Sequence, residues 1–257
     1  MPLKEVKKDT VCLLMPCGGP VEPRVVQSSL NLVTHSARAG YPVIQIGITD
    51  RTLVQLARNM LAEAFLKETE AEWAFWMDSD MILEDRTIRV MMQYAKQLNT
   101  KMLTGIYYKR LGDHQPVLWR KKLQSTNGEV KHDPMLGYSH YVVYPNNVGG
   151  KPFLVDVAGF GCTLIHRDVF DKMKWPYFKF VPYEEGGKHK EASEDFYFFV
   201  QAGELGYRLW AVPELDCGHV GMAPIIRHKD MKMDKAKMTE MNLTAPGYLP
   251  EKQKEVV

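Results

Sequence analysis

The sequence predicts an α/β fold with a mostly parallel central sheet flanked by helices, joined to a smaller antiparallel or irregular section. Three observations predict it. Strand-like and helix-like segments alternate from Val11 to Tyr108, the pattern of a parallel sheet built from crossover units. After Tyr108 the rhythm breaks, and residues 109–152 are rich in Gly, Pro, Asn and Lys, with short alternating pieces such as "QPVLW" and "HYVVY". The length of 257 residues, with 45% hydrophobic and 25% charged residues, suits one large domain with its own core.

The elements follow in order. "VCLLMPCGGP" (Val11 to Pro20) is an apolar strand closed by a Pro/Gly turn. Residues 24–39 carry helical spacing at Val25/Val26, Leu30, Val33 and Ala37, stopped by Gly40. "YPVIQIGI" is a second strand. From Thr52 to Glu68 an amphipathic helix is expected, with Leu53, Leu56/Ala57, Met60/Leu61 and Ala64/Phe65 on its packed face. "WAFWM" is the third strand, Arg86 to Leu98 a short helix, and "KMLTGIYY" the fourth strand. Later come the apolar run "FLVDVAGFGCTLIHR", a short helix from Asp168 to Met173, a helix over residues 193–204 with Ser193 at its N-cap position, and a last strand "YRLWAVP". The expected organisation is one domain over residues 1–221, in two parts at about 11–108 and about 109–221. Residues 222–257, rich in Met and Lys, read as a tail or a lid.

A net charge of +2 speaks for no nucleic-acid coat and leaves an anionic substrate open. Residues 101–122 hold six basic residues against one acidic, which is either a solvated loop or a wall facing phosphate or a polyanionic acceptor. Cys12, Cys17, Cys162 and Cys217 lack metal-type spacing. The start, "MPLKEVKKDT", has no apolar signal core, and no stretch of 18 apolar residues occurs. The chain reads as cytoplasmic, with no transmembrane segment.

The chemistry concentrates in "WAFWMDSDMILED", Trp73 to Asp85. Ligands of open α/β sheets sit beyond the carboxyl ends of strands, where Asp78 and Asp80 fall. If the chain stays extended there, the two carboxylates face one side, and two like charges so placed repel unless a cation sits between them or water screens them; Asp-x-Asp is also common in plain surface turns. Carboxylate oxygens suit Mg²⁺ or Mn²⁺. His219, in "CGHVG", is a plausible third ligand. Glu194 and Asp195 open a helix, where the dipole favours negative charge. That accounts for them as terminus residues, and equally for one of them as a general base.

The ordered set "LARN", "WMDSD", "AGFGCTLIHRDVF", "SEDFYFFVQAGELGYRL" and "CGHVG" resembles the GT-A fold glycosyltransferases, especially family 2-like members, over roughly Val11 to Gly221. The resemblance implies a GT-A, Rossmann-like sheet, a nucleotide diphosphate sugar donor, and a catalytic domain over residues 1–221 with its donor half at about 11–108 and its acceptor half at about 109–221. It also implies a divalent metal, Mn²⁺ or Mg²⁺, held by Asp78, Asp80 and His219. Asp80 would be the firmest ligand and Asp78 shared with the ribose. Arg58, Ser79 and Pro16 would line the nucleotide, and the backbone at Gly159 and Gly161 the sugar. Asp195 would take the acceptor proton, with Glu194 bonding the acceptor, and "KWPYF" (Lys174 to Phe178) would offer an aromatic platform. The chain departs from family 2 in its first turn, Pro-Cys-Gly-Gly-Pro, and in "GITDRT" after the second strand, so the base stays open, with UDP favoured over GDP. The Gln-x-x-Arg-Trp signature of processive synthases is absent.

The implied activity is transfer of one sugar to an acceptor hydroxyl on a saccharide, protein or nucleic acid, with inversion if Asp195 is the base and retention left open. A nucleotidyltransferase, and a non-catalytic sugar-nucleotide or carbohydrate-binding module, are the rival readings.

Overall fold

The computed structural model describes residues 9–50, 52–110, 114–122, 139–143, 145, 150–185 and 187–221. The expected tail or lid beyond residue 221 lies outside them.

Seven strands form one sheet. Along the chain these are β1 (Val11–Cys17), β2 (Val43–Asp50), β3 (Trp73–Trp76), β5 (Met102–Ile106), β8 (Phe153–Val155), β10 (Thr163–His166) and β13 (Leu209–Asp216). Their spatial order is β2-β1-β3-β10-β5-β13-β8. β1 runs parallel to both β2 and β3, and β13 runs parallel to β5. β10 is antiparallel to β3 and β5, and β8 is antiparallel to β13. The sheet is mostly parallel, as the alternation predicts, and "WAFW" lies inside it between β1 and β10. Helices α1 (Pro23–Arg38) and α3 (Thr87–Gln97) cover one face. Helices α2 (Val54–Glu68), α4 (Arg167–Lys172) and α5 (Glu194–Glu204) cover the other.

Residue parity explains the greasy strands. Leu13, Trp73 and Phe75 pack with Leu32 of α1 and Ile88 of α3. Leu14, Ala74 and Trp76 pack with Phe65 of α2 and Phe198 of α5. A strand buried on both faces loses its polar alternation. The irregular section contains the expected antiparallel pairing, with β6 (Leu118–Lys122) between β7 (Ser139–Val142) and β9 (Val157–Ala158). Two small ladders lie outside the sequence reading: a hairpin of β11 (Val181–Glu185) and β12 (Lys188–Ala192), and a two-residue pairing of β4 (Met81–Ile82) with β14 (Gly218–His219).

Two helix faces differ from the expectation. Helix α1 buries Val25, Ser28, Leu32 and Ser36, leaving Val26 and Leu30 exposed. Its serines are buried with partners: Ser28 Oγ donates to the Leu83 carbonyl at 2.9 Å and accepts the Leu83 N–H at 2.8 Å, and Ser36 Oγ donates to the Tyr41 carbonyl. Helix α2 buries Ala57, Arg58, Asn59, Leu61, Ala62 and Phe65, while Leu53, Leu56 and Met60 face outward. Polar groups with good partners took positions that hydrophobicity alone assigns to leucine and methionine. No helix among the described residues is long and apolar enough to cross a membrane.

Candidate active site

The strand β3 ends at Trp76, and the chain turns at once. The Met81 N–H donates to the Asp78 carbonyl at 3.1 Å, closing a tight turn with Ser79 and Asp80 at its corners. The extended backbone expected here is therefore broken. Asp78 and Asp80 do not share a side; each carboxylate goes to a different set of partners.

Asp78 goes inward to Arg58. The Arg58 Nη2 donates to Asp78 Oδ1 at 3.0 Å, and Nη1 donates to Glu194 Oε1 at 2.6 Å and to Asp195 Oδ1. One guanidinium from the second turn of α2 thus gathers a carboxylate from the end of β3 and two from the first turn of α5. The Arg58 side chain is only 4% exposed. Its guanidinium lies 5.0 Å over the Phe160 ring, a placement favourable to a cation, above packed Trp76, Phe178 and Phe198. Arg58 Nε is buried without a hydrogen-bond partner.

Three carboxylates around one cation leave an excess of negative charge. Burial opposes the charge on Arg58, but Asp195, Asp78 and Glu194 raise its pKa, so it stays a guanidinium. Burial first, and then the like charges of Glu194 and Asp78, push Asp195 up to about 8 against the pull of Arg58. The Asp195 side chain keeps 21% exposure. A carboxyl poised near neutrality beside a turn is placed for proton transfer.

Asp80 goes outward to a second cluster. The pairing of β4 with β14 sets His219 opposite Met81, and the Val220 N–H donates to the Asp80 carbonyl at 2.8 Å. The His219 Nε2 then lies 3.3 Å from Asp80 Oδ2, and Arg110 Nη1 approaches the same oxygen at 2.9 Å. The His219 Nδ1 donates to the Tyr108 carbonyl at 2.7 Å, because a carbonyl only accepts. In the neutral ring Nε2 therefore presents a lone pair to a carboxylate, and two acceptors facing one another need a proton or a cation between them. Burial raises the Asp80 pKa, but the hydrogen bond and charge of His219, with Arg110, hold it below the ordinary value. An imidazole anchored through Nδ1 to a backbone carbonyl, with an ionised carboxylate beside Nε2, offers two donors to a divalent cation, of which the carboxylate is the one suited to Mn²⁺ or Mg²⁺.

The expected three-residue set is not assembled. Among the described residues no group of three His, Cys, Asp or Glu side chains is close enough to hold a metal ion. Asp80 and His219 are together, and Asp78 is turned to Arg58.

The two glycines of "AGFGC" serve a neighbour. A Cβ on Gly159 would lie 1.9 Å from the Tyr107 hydroxyl oxygen, and one on Gly161 would lie 2.8 Å from the Tyr107 ring. The Gly161 N–H donates to Tyr107 Oη at 3.1 Å. The amide expected to face a sugar is thus spent on Tyr107, whose ring also meets His219 edge-on at 5.5 Å. Burial and the nearby charges of Asp78 and Asp195 raise the pKa of this phenol. Pro16 is buried at the end of β1 beside Thr49 of β2, and Ser79 is half-buried in the turn. In "KWPYF", Phe178 is core and Trp175 is exposed. Asn59 holds that segment: its Oδ1 accepts the N–H of Tyr177 and Phe178, and its Nδ2 donates to the Phe178 carbonyl.

Tyr107, Arg110 and Asn59 are the site residues that sequence reasoning missed. Two of them lie in the basic segment 101–122, which proves divided. Arg110 joins the carboxylates, whereas Arg120 and Lys121 line a cleft of about 610 Å³ with Asp156, Glu204 and Arg208. Met102 and Leu209, at the starts of β5 and β13, also line it, so it opens at the opposite end of the sheet from the aspartates. Arg167, in "LIHRDVF", is structural: it donates to the carbonyls of Phe65, Leu66, Thr69 and Ala71 and so caps α2.

No protein-family model matches the sequence, and no curated protein matches it. Solved structures do match the fold. A197 from STIV is 19% identical, covers 82% of this chain and 85% of its own, and superposes with a TM-score of 0.50. GalNAc-T7, solved with UDP, GalNAc and Mn²⁺, is 11% identical, covers 84% of this chain and superposes with a TM-score of 0.54. The match takes in 44% of the GalNAc-T7 chain. At these identities the likeness is one of fold, and the fold is of the GT-A kind.

Proposed function

We propose that the protein is a metal-dependent glycosyltransferase that moves one sugar from a nucleoside diphosphate sugar to an acceptor hydroxyl. The observation that carries this reading is the convergence of two clusters on one turn. Asp80 and His219 form an open donor set on one side of it, and Arg58 with Asp78, Glu194 and Asp195 forms a buried charge cluster on the other. The GT-A fold and the UDP and Mn²⁺ held by GalNAc-T7 support a diphosphate and a divalent cation as its ligands, and favour UDP over GDP.

Asp80 and His219 would hold the cation, with Asp78 a candidate third ligand if Arg58 releases it. When bound, the cation neutralises charge on the departing diphosphate. Arg110, already on Asp80, adds a guanidinium suited to phosphate oxygens. In the transfer, the acceptor oxygen forms a bond to the anomeric carbon as the bond from that carbon to the diphosphate oxygen breaks. Asp195, when ionised, takes the acceptor hydroxyl proton on its Oδ, giving inversion. Glu194 and Arg58 orient that carboxylate, and Tyr107 closes the floor between the two clusters.

The test is product analysis. Protein incubated with UDP-sugars, Mn²⁺ and a panel of saccharide acceptors should release nucleoside diphosphate and a glycosylated acceptor. Release of pyrophosphate instead would make it a nucleotidyltransferase.

A further inference from the structure

Large apolar side chains are exposed unevenly over the described surface. Those more than about a third exposed are Val26, Leu30, Ile44, Ile46, Ile48, Leu53, Val54, Leu56 and Met60, with Trp175 and Leu205 elsewhere. The first nine sit on α1, β2 and α2, three consecutive elements. Scattered exposed leucines are ordinary, but a contiguous apolar surface marks a contact.

The topology brings the nine to one border of the molecule. β2 is the outer strand of the sheet. Ile44, Ile46 and Ile48 are 44%, 45% and 62% exposed and alternate along it, so they share one face. Helix α1 packs on that face, and His35 on one flank of α1 contacts Arg89 and Asp85 near α3. Val26 and Leu30 lie on the opposite flank, toward β2. On the other face of the sheet α2 follows β2 directly, carrying Leu53, Leu56 and Met60 outward. These outward residues are the ones displaced by the bonded serines of α1 and by Arg58 and Asn59 of α2.

We infer that this border is the interface of a two-fold dimer in which β2 pairs antiparallel with β2 of a second copy. Edge strands that must stay unpaired are usually short, charged or interrupted by proline. β2 runs eight residues, "VIQIGITD", with no proline and no charge before Asp50, and its one register irregularity against β1 lies at its start, between Val43 and Gln45, leaving the rest in regular pairing. One self-complementary patch on each copy is what such symmetry requires. The area is also sufficient: nine roughly half-exposed side chains of about 200 Å² each offer on the order of 900 Å², against about 800 Å² per partner in a standard interface.

The proposal is independent of the catalytic reading. Sedimentation velocity of the full chain at about 50 μM, with the concentration chosen to populate a micromolar complex, should give about 59 kDa, twice the 29.5 kDa of one chain. The double variant Ile46→Lys/Ile48→Lys should fall to 29.5 kDa with an unchanged far-ultraviolet dichroism spectrum. Leu30→Glu, on a helix and outside the strand ladder, should weaken the dimer in the same way without disturbing β2. A wild-type monomer at that concentration, or a dimer that survives both variants, would overturn the proposal.

Discussion

Asp78 and Asp80 are separated by one residue and are equally half-buried, at 27% and 29% exposure, yet they answer to different partners. Asp78 joins a cluster of three carboxylates around one buried cation, Arg58, over an aromatic floor. Asp80 joins another, with His219 anchored to backbone and a half-exposed Arg110 as the present counter-charge. The difference shows how one turn can serve two tasks. The inner cluster holds three elements in place and poises a carboxyl near neutrality. The outer cluster sets an ionised oxygen beside the edge of an anchored imidazole.

If that division holds, breaking the inner cluster should cost stability first. Arg58→Ala leaves three carboxylates without their cation, and removing one partner of a buried ion pair costs roughly 3–5 kcal/mol. At about 2–4 °C of melting temperature per kcal/mol for a chain of this size, a fall of roughly 10 °C is expected in calorimetry. A shift under about 2 °C would mean the cluster is not buried in solution.

The next effect separates chemistry from structure inside that cluster. Asp195→Asn should reduce turnover by about 10²–10⁴-fold, the usual contribution of a general base, while nucleotide affinity stays within a factor of about 3 as binding runs through the other cluster. Its pH behaviour is a second readout. The folded carboxyl titrates near 8 and the ordinary value is 3.8. The folded protein therefore holds a proton that the unfolded chain releases, and this group makes stability fall as pH rises from about 4 to about 8. Across that window the melting temperature of Asp195→Asn should rise relative to that of the wild type as pH increases, because the variant lacks this one falling contribution. An equal slope in both would place the proton elsewhere.

The smallest effect belongs to the outer cluster. Arg110→Ala removes an exposed pair with Asp80, so stability should change by less than about 1 kcal/mol. Nucleotide affinity should nevertheless drop several-fold if Arg110 reaches the diphosphate. Unchanged affinity would leave Arg110 a mere placeholder on Asp80.

Much of this was legible in the sequence. The alternation from Val11 to Tyr108 gives the mostly parallel sheet, and the apolar run before Asp78 gives a strand inside it. The pairing of Asp80 with His219 is suggested by two short motifs 139 residues apart. Three things were hidden, each for a physical reason. The turn at Ser79-Asp80 rests on a backbone hydrogen bond, and periodicity carries no record of it. The packed faces of α1 and α2 contain Ser28, Ser36, Arg58 and Asn59, whose partners come from distant segments, so hydrophobicity pointed to the wrong stripe. The glycines at 159 and 161 do signal close approach, but only the fold reveals that the approaching group is Tyr107.

The proposed transfer depends on a cation held by Asp80 and His219 that recruits a nucleoside diphosphate. Calorimetric titration of UDP and of GDP, each with and without Mn²⁺, into the wild type and Asp80→Ala tests it most directly. The expected result is binding of one nucleotide, UDP in preference, that requires Mn²⁺ and is lost in Asp80→Ala while the variant melts normally. Binding that ignores the metal, or that survives the substitution, would contradict it.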